Sequence, residues 1–240
     1  MVCAKQYGRL GNNLFQKAAA IGYAVKHQLP YSLSPAVCAQ KIDIREYTHA
    51  YQELPFSEQW KHQCIRLDGY WQSEKYFAHC REEVLKAFSY RLEPVFPDTC
   101  AIHVRRGDYL NYPDKHPVVT EEYIRLAVNV MISKTNICKF KFFSDDIAWC
   151  KELIEMLHKE YPDIWWGYSE GRTEAQDLAH MFSCQHQIIS NSTFSWWGAW
   201  LNQNPAKVVV SPSKHNWFGP GNAHLDTSDI IPDSWIQIKY

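Results

Sequence analysis

Four short polar clusters hold the residues whose types and spacing can do chemistry: Gly8-Arg9-Leu10-Gly11-Asn12-Asn13, His103-Val104-Arg105-Arg106-Gly107-Asp108, Ser144-Asp145-Asp146 and Asn191-Ser192-Thr193-Phe194-Ser195. The arginine pair says the most. A guanidinium presents a fixed fork of donors that matches phosphate oxygens, and it cannot be deprotonated there. Arg105 and Arg106 can therefore carry the charge of a diphosphate without a metal. The competing reading is an interdomain salt bridge to Asp108, the commoner fate of an isolated arginine pair. Asp145 and Asp146 can hold Mg²⁺ beside a nucleotide sugar, or one of them can accept hydrogen bonds from a purine edge. Asp146 also fits as a helix cap, and the two arginines weaken the metal reading because they neutralise the same charge. The Asn191–Ser195 turn can grip a phosphate or simply start a helix. In Gly8–Asn13 two glycines allow close backbone approach to a ligand and a helix start attracts anions; a tight turn explains the segment equally well.

Other chemistries lack their patterns. The eleven histidines form no H-x-x-x-H or H-E-x-x-H spacing for zinc, and no G-x-S-x-G marks a serine hydrolase. The glycine-rich segment matches neither a dinucleotide nor a Walker fingerprint. Asn191-Ser192-Thr193 fits a glycosylation sequon but reads as accidental without a secretory signal. Trp196, Trp197 and Trp200 lie on a helical stretch and read as core before sugar platform.

The elements that must position these clusters follow from periodicity. A strand to Gln6 leads to a helix from about Asn13, with Leu14, Ala18, Ile21 and Val25 on one face and Pro30 beyond it. Residues 31–68 read as irregular. Phe77, Cys80, Val84 and Phe88 predict a helix from near Ser73, and Pro94 with Pro97 predict a linker. Further on, strands are predicted at Cys100–Val104, Phe140–Phe143, Gln187–Ser190 and Lys207–Val210. Helices are predicted from Thr120, after Asp146, from a Thr173/Gln176 capping box, and over the tryptophans. Strands alternating with helices imply a parallel sheet with its ligand at the carboxyl ends of the strands. The polar clusters fall at those ends.

Composition sets outer limits. The 240 residues are 46% hydrophobic and 21% charged, ordinary for a globular chain. Twenty-five Lys and Arg against 26 Asp and Glu leave a formal charge of −1, which argues against tracking a nucleic-acid backbone. Lys5 and Arg9 interrupt any apolar signal core. The longest apolar run, Ala18 to Val25, is far short of the roughly twenty residues of a membrane span. Eight cysteines without a C-x-x-C pair read as reduced, mostly buried thiols of a cytoplasmic protein.

The stretches GRLGNNLFQ (8–16), GYWQSEKYF (69–77), HVRRGDY (103–109), FFSDD (142–146) and ISNSTFSWWGAWL (189–201), in this order, resemble the bacterial α-1,2-fucosyltransferases of glycosyltransferase family 11. The resemblance covers residues 31–65 and the tail after about 211 poorly. It implies an α/β, GT-B-like architecture of two Rossmann-like lobes, with parallel sheets flanked by helices. Residues 1–95 would form the acceptor-side lobe and 96–240 the donor lobe, the tail returning to the first. The implied activity is inverting transfer of L-fucose from GDP-fucose to the 2-hydroxyl of a terminal galactose, with no metal and no cofactor besides the donor. By the same resemblance Arg105 meets the donor diphosphate with Arg106 in support, and His103 and Asp146 hold the guanine. Ser192, Thr193 and Ser195 lie near the β-phosphate, and Arg9, Gly11 and Asn12 face the donor–acceptor gap. Asn13 departs from the family's usual glutamine, and the chain is shorter than most relatives, which leaves the acceptor undefined. Asp108 is the leading candidate for the general base, with orientation of Arg105 or Arg106 as its competing role. Three alternatives stay open: a different fucosyl linkage, a lectin-like glycan-binding module, and a nucleotide-binding regulator. The implied location is cytoplasmic, with peripheral association at the inner membrane left open.

Overall fold

Two parallel sheets organise the computed structural model, which describes residues 1–34, 41–88 and 96–240. The chain divides into one unit of Met1–Ser89 with Leu225–Pro232 and another of Tyr90–His224 with Asp233–Tyr240.

The first unit contains β1 (Val2–Ala4), α1 (Leu10–Lys26), β2 (Lys41–Arg45), β3 (Cys64–Asp68) and α2 (Arg81–Ala87). Its strands are all parallel in the order β1-β3-β2, with Val2 opposite Ile65 and Ile44 opposite Leu67. Leu14, Ala18 and Ile21 are buried along one face of α1, as their spacing requires, with Phe15 beside them, but Val25, expected on the same face, is exposed in the last turn of the helix. The helix starts at Leu10 instead of near Asn13. Gly8, at φ +82°, turns the chain, and the Asn13 amide donates back to the Gly8 and Arg9 carbonyls at 3.2 and 3.0 Å. Gly11 and Asn12 therefore belong to the first helical turn, not to a loop.

Residues 31–68, expected to be irregular, contain β2, a 3-10 turn at Glu58–His62 and β3, the middle strand of the sheet. KIDIR in fact alternates polar and apolar residues, the period of a half-buried strand, while CIRLD is too short for its alternation to stand out. The helix expected from Ser73 is broken into 3-10 turns at Glu74–Tyr76 and Ala78–Cys80 before α2 begins. Its apolar face is as predicted, since Phe77, Cys80, Val84 and Phe88 are all buried. Close packing explains the broken geometry: a Cβ on Gly22 of α1 would collide with the Tyr76 carbonyl oxygen. Asp229 accepts from the Tyr51 amide at 2.9 Å and pairs with Lys75, which ties 225–232 into this unit. The thiols also need correction. Cys3, Cys80, Cys100, Cys138, Cys150 and Cys184 are free, and all but Cys138 are buried, but Cys64 is in a disulfide.

The second unit contains β4 (Phe96–Val104), α3 (Glu121–Lys134), β5 (Lys139–Ser144), α4 (Ile147–Glu160), β6 (Trp165–Tyr168), α5 (Glu174–Ser183), β7 (Cys184–Ile188), α6 (Thr193–Trp200), β8 (Val209–Pro212) and β9 (Ile236–Ile238). The six strands are parallel in the order β6-β5-β4-β7-β8-β9. The fold is thus α/β, with parallel sheets flanked by helices. The predicted caps are present, Asp146 accepting a backbone amide of α4 and Thr173 with Gln176 forming the full capping box, and Thr120 and Ser192 likewise each accept an amide of the helix they start. Of the expected linker, Pro94 lies outside the described residues. Pro97 lies inside β4, where the pairing register shifts between Phe96 and Cys100, a place that tolerates a residue with no N–H to donate. Two strands, β6 and β9, escape a sequence reading because each is too short to show alternation. Trp196, Trp197 and Trp200 are core residues, packed on one another and on Trp235. Among the described residues no helix is long and apolar enough to cross a membrane.

Two core positions give measurable consequences. Gly22→Ala is expected to cost about 1–3 kcal/mol, the usual penalty of overpacking, read as a lower unfolding midpoint in denaturant. His180 is 1% exposed, stacked on Phe96 and edge-on to Phe143, and among the described residues neither ring nitrogen has a hydrogen-bond partner. Burial pushes its pKa from 6.5 down to about 4. The folded value lies below the unfolded one, so this contribution is full above pH 6.5 and is lost as the pH falls toward 4. His180→Phe is expected to reduce the stability loss between pH 7 and 5 by roughly 1–2 kcal/mol, measured by urea unfolding at both pH values.

Candidate functional site

The order of the six strands decides where the site lies. From central β4 the chain proceeds outward to β5 and β6, then returns to the other side of β4 as β7. At such a reversal the connections after the two inner strands diverge and leave a crevice at their carboxyl ends. Val104 pairs with Ser144 and Ile102 with Ile188, so β4, β5 and β7 end together. Three of the four polar clusters are joined there. The fourth, Gly8–Asn13, lies in the first unit.

Arg105 is 14% exposed and held by two carboxylates, donating to Asp108 Oδ1 at 2.6 Å and pairing with Asp145 Oδ2 at 2.9 Å. Its guanidinium also lies 5.6 Å from the centre of the Tyr109 ring, whose hydroxyl donates to the Asn191 carbonyl at 3.2 Å. The ion pair with Asp108 is therefore local, between neighbours after one strand, and not an interdomain bridge. Arg106 donates through Nε to Asp146 Oδ2 at 3.0 Å and covers the Trp149 ring at 4.4 Å. Asp146 receives the Trp149 amide on its other oxygen at 3.2 Å, and Asp145 Oδ1 receives the Arg106 amide at 2.9 Å. Both carboxylates of the acidic pair are thus engaged with the arginines. Three carboxylates against two guanidiniums leave one excess negative charge at these strand ends.

A neutral hydrogen-bonded network gathers at the end of β7. His103 is 4% exposed, with Nδ1 2.9 Å from Ser190 Oγ. Burial first, and the nearby Arg105 charge second, lower its pKa to about 3, so the ring is neutral and fixed in orientation. Ser192 caps α6 by accepting the Phe194 amide at 3.3 Å, and Thr193, half-buried, is the first helical residue. Ser195 does not reach the open strand ends. It is fully buried and donates to the Ser190 and Ser192 carbonyls, so its hydroxyl shapes the turn. Asn191 donates to the carbonyls of Pro117 and Trp217 and pins two flanking loops to the same turn.

The carboxyl ends of β1, β2 and β3 in the first unit form a second polar edge. Arg9 is exposed, Gly11 is buried, and Asn12 Oδ1 accepts from Gln72 Nε2 at 3.1 Å. Gln16 clasps Tyr7 at both its amide and its carbonyl, and Tyr7 meets Tyr70 edge-on at 5.0 Å. Glu46 accepts the amides of Tyr70 and Trp71.

Sequence reasoning missed Asp145 as the second holder of Arg105, Ser190 as the partner of His103, and Tyr109 as the ring beside the guanidinium. It also missed Glu46 and Gln72. Asp145 had a visible signal in its adjacency to Asp146, but which of the pair faces Arg105 depends on how the loop leaves β5. Among the described residues no three metal-ligating side chains converge.

Comparison with known proteins places these features in a family. The pattern of glycosyl transferase family 11 matches residues 38–238. The chain is similar to the alpha-1,2-colitosyltransferase of Escherichia coli, 30% identical over 73% of this chain and 63% of that protein. It is similar to the O-antigen biosynthesis glycosyltransferase WbnK of Escherichia coli, 35% identical over 59% of this chain and 45% of that protein. It also resembles the galactoside alpha-(1,2)-fucosyltransferase 2 of Pongo pygmaeus, 27% identical over 81% of this chain and 67% of that protein. The chain thus spans 63% and 45% of the lengths of the two bacterial relatives.

The Arg105 clamp makes its own prediction. A Cβ on Gly107 would strike Asp145 Oδ2, the oxygen that pairs with Arg105. Gly107→Ala is expected to destabilise the protein by about 1–3 kcal/mol. In the Gly107→Ala/Asp145→Ala double variant the two losses are expected not to add, because they act through one contact. Denaturant unfolding of the four proteins measures that coupling, and strictly additive losses would refute the clash.

Proposed function

Given that the chain belongs to glycosyl transferase family 11, we propose that it transfers L-fucose from GDP-fucose to the 2-hydroxyl of a terminal β-galactose, with inversion and without a metal. The observation that carries this reading is Arg105 braced at the chain reversal of the six-stranded sheet, beside the start of α6. A nucleotide diphosphate laid across those strand ends meets a fixed guanidinium and the first amides of a helix.

In this mechanism the bond between C1 of fucose and the β-phosphate oxygen breaks through an oxocarbenium-like transition state, and GDP leaves with the electron pair. The acceptor oxygen attacks C1 from the opposite face, and its proton passes to a base. Negative charge grows on the departing diphosphate, where preoriented donors act most strongly. Arg105 is the main donor, Thr193 and the start of α6 assist, and Arg106 keeps the β4 loop in place through Asp146 and Trp149. His103 and Asp146 flank the position assigned to guanine.

The excess carboxylate gives Asp108 a part in the reaction. When a phosphate oxygen takes over the Arg105 N–H now donated to Asp108, that carboxylate is released and becomes able to accept the acceptor's proton. The two roles expected of Asp108, orienting Arg105 and serving as base, then follow one another. The similarity to an alpha-1,2-colitosyltransferase favours a second reading, in which colitose replaces fucose at the same site. In this proposal residues 1–95 serve the acceptor and 96–240 the donor, and the protein works in the cytoplasm or at the inner membrane surface.

The test is GDP release from GDP-fucose with and without lactose, in EDTA, followed by linkage analysis of the product and a parallel assay with nucleotide-activated colitose. Lactose-dependent release and an α-1,2 product are expected, with the rate unchanged by EDTA. Arg105→Ala is expected to lower kcat by about a hundredfold or more, the usual cost of one transition-state donor; near-normal turnover would refute its assignment. Asp108→Asn is expected to bind GDP more tightly by calorimetry, because a competitor for Arg105 is neutralised. Its transfer should be slower, with the acidic limb of the pH–rate profile removed.

A further inference from the structure

We infer that Glu46 is a positioning residue for transfer, holding the 70–72 turn so that Gln72 fixes Asn12 at the start of α1. The inference rests on the proposed transferase reading only for its kinetic consequence; the hold itself is visible in the fold.

The geometry is specific to this carboxylate. Glu46 follows β2 and spans the sheet edge to the turn after β3, where Oε2 accepts the Tyr70 amide at 2.5 Å and Oε1 the Trp71 amide at 2.9 Å. Neither amide belongs to a strand, so the two lobes of one carboxylate satisfy donors that a buried turn would otherwise leave unmet. The turn needs such a hold. Trp71 is fully buried and sits at φ +57°, a left-handed conformation that a bulky residue adopts only when its surroundings impose it. Gly69 leaves the space, since a Cβ there would strike the Glu46 side chain. The next residue, Gln72, is 6% exposed and donates to Asn12 Oδ1 at 3.1 Å. The hold therefore runs from Glu46 through the turn to a residue of the GRLGNNLFQ segment, all within the first unit.

Burial raises the Glu46 pKa to about 7, against the opposing effect of the Tyr70 and Trp71 amides. Above that pH both oxygens accept. Below it one oxygen carries a proton and cannot serve its amide equally. The ionisable groups that feel this charge are Tyr7 after β1 and Tyr76 in the segment after β3, with Asp68 and Tyr70 also acting on Tyr7. Burial raises Tyr7 to about 12 and Tyr76 further, so neither of these phenols changes charge between pH 6 and 8.5; Asp68 is paired with Lys5 at 3.3 Å, and the His49 ring packs on Tyr70 at 5.8 Å, so His49→Gln is the control that separates its effect from that of Glu46.

Amide hydrogen exchange of the wild-type protein and Glu46→Gln, at pH 6 to 8.5 and corrected for intrinsic exchange, reads the hold without reference to activity. The wild type is expected to protect both Tyr70 and Trp71 at pH 8 and to lose tenfold or more of that protection at one of them by pH 6, while Glu46→Gln, with a single acceptor oxygen, lacks protection at one of the two amides throughout. In transfer assays Glu46→Gln is expected to lower kcat at least tenfold with KM for GDP-fucose within twofold, and to lose the limb near pH 7. Gln72→Met, which leaves the carboxylate in place, is expected to lower kcat similarly while keeping the pH-dependent protection, and it replaces Glu46→Gln in the assays if that variant does not fold. Protection unaffected by pH or by Glu46→Gln would overturn the hold. Unchanged kcat in Gln72→Met would overturn its link to transfer. A wild type that transfers neither sugar overturns the transferase reading instead, and the exchange experiment then decides the hold alone.

Discussion

Arg105, pinned between Asp108 and Asp145 at the end of β4, is the constraint on which the rest of the second unit turns. A guanidinium that is 14% exposed must be paired, because an isolated buried charge is too costly to retain. The pairing draws the loop after β5 against the loop after β4. Gly107 exists to make room for that approach. Arg106 repeats the arrangement one residue on, with Asp146 and the Trp149 ring as its partners. Two adjacent residues thus weld two strand ends.

The second half of the site is built differently. The end of β7 is a neutral network in which His103, Ser190, Ser192, Ser195 and Asn191 bond to one another's turn and to flanking loops. Its buried hydroxyls and amides are spent on shape. Beneath this turn the tryptophans of α6 fill the core and give the helix start a rigid base. An anion at α6 meets donors already oriented, which is where electrostatic catalysis gains over water. In the first unit the same economy appears in Glu46, whose two oxygens are spent on the Tyr70 and Trp71 amides while burial raises its pKa to about 7.

Much of this was legible in the residues. The caps at Thr120, Asp146 and Thr173 follow from side chains that compete for backbone amides, a local effect that needs no tertiary information. The alternation of apolar strands and amphipathic helices required a parallel sheet, and the sheet required a site at its carboxyl ends. Short elements were illegible for an equally physical reason. β3, β6 and β9 span five, four and three residues, too few for a period of two to show against neighbouring polar residues.

By itself, then, the sequence determined the fold class, most of the helix starts and the position of each polar cluster at a strand end, because each of these depends on neighbours within a few positions along the chain, whereas strand order decided that three of the four clusters meet and that Gly8–Asn13 belongs to another sheet. The tertiary structure alone decided which carboxylate faces Arg105, that Ser195 turns inward, that Gly11 and Asn12 are helical, and that Glu46 reaches across to the turn after β3. Those outcomes depend on strand order, on the angle at which each loop leaves the sheet, and on which polar groups are shut off from water. Such properties are set by packing between distant segments and leave no periodic trace in the order of residues.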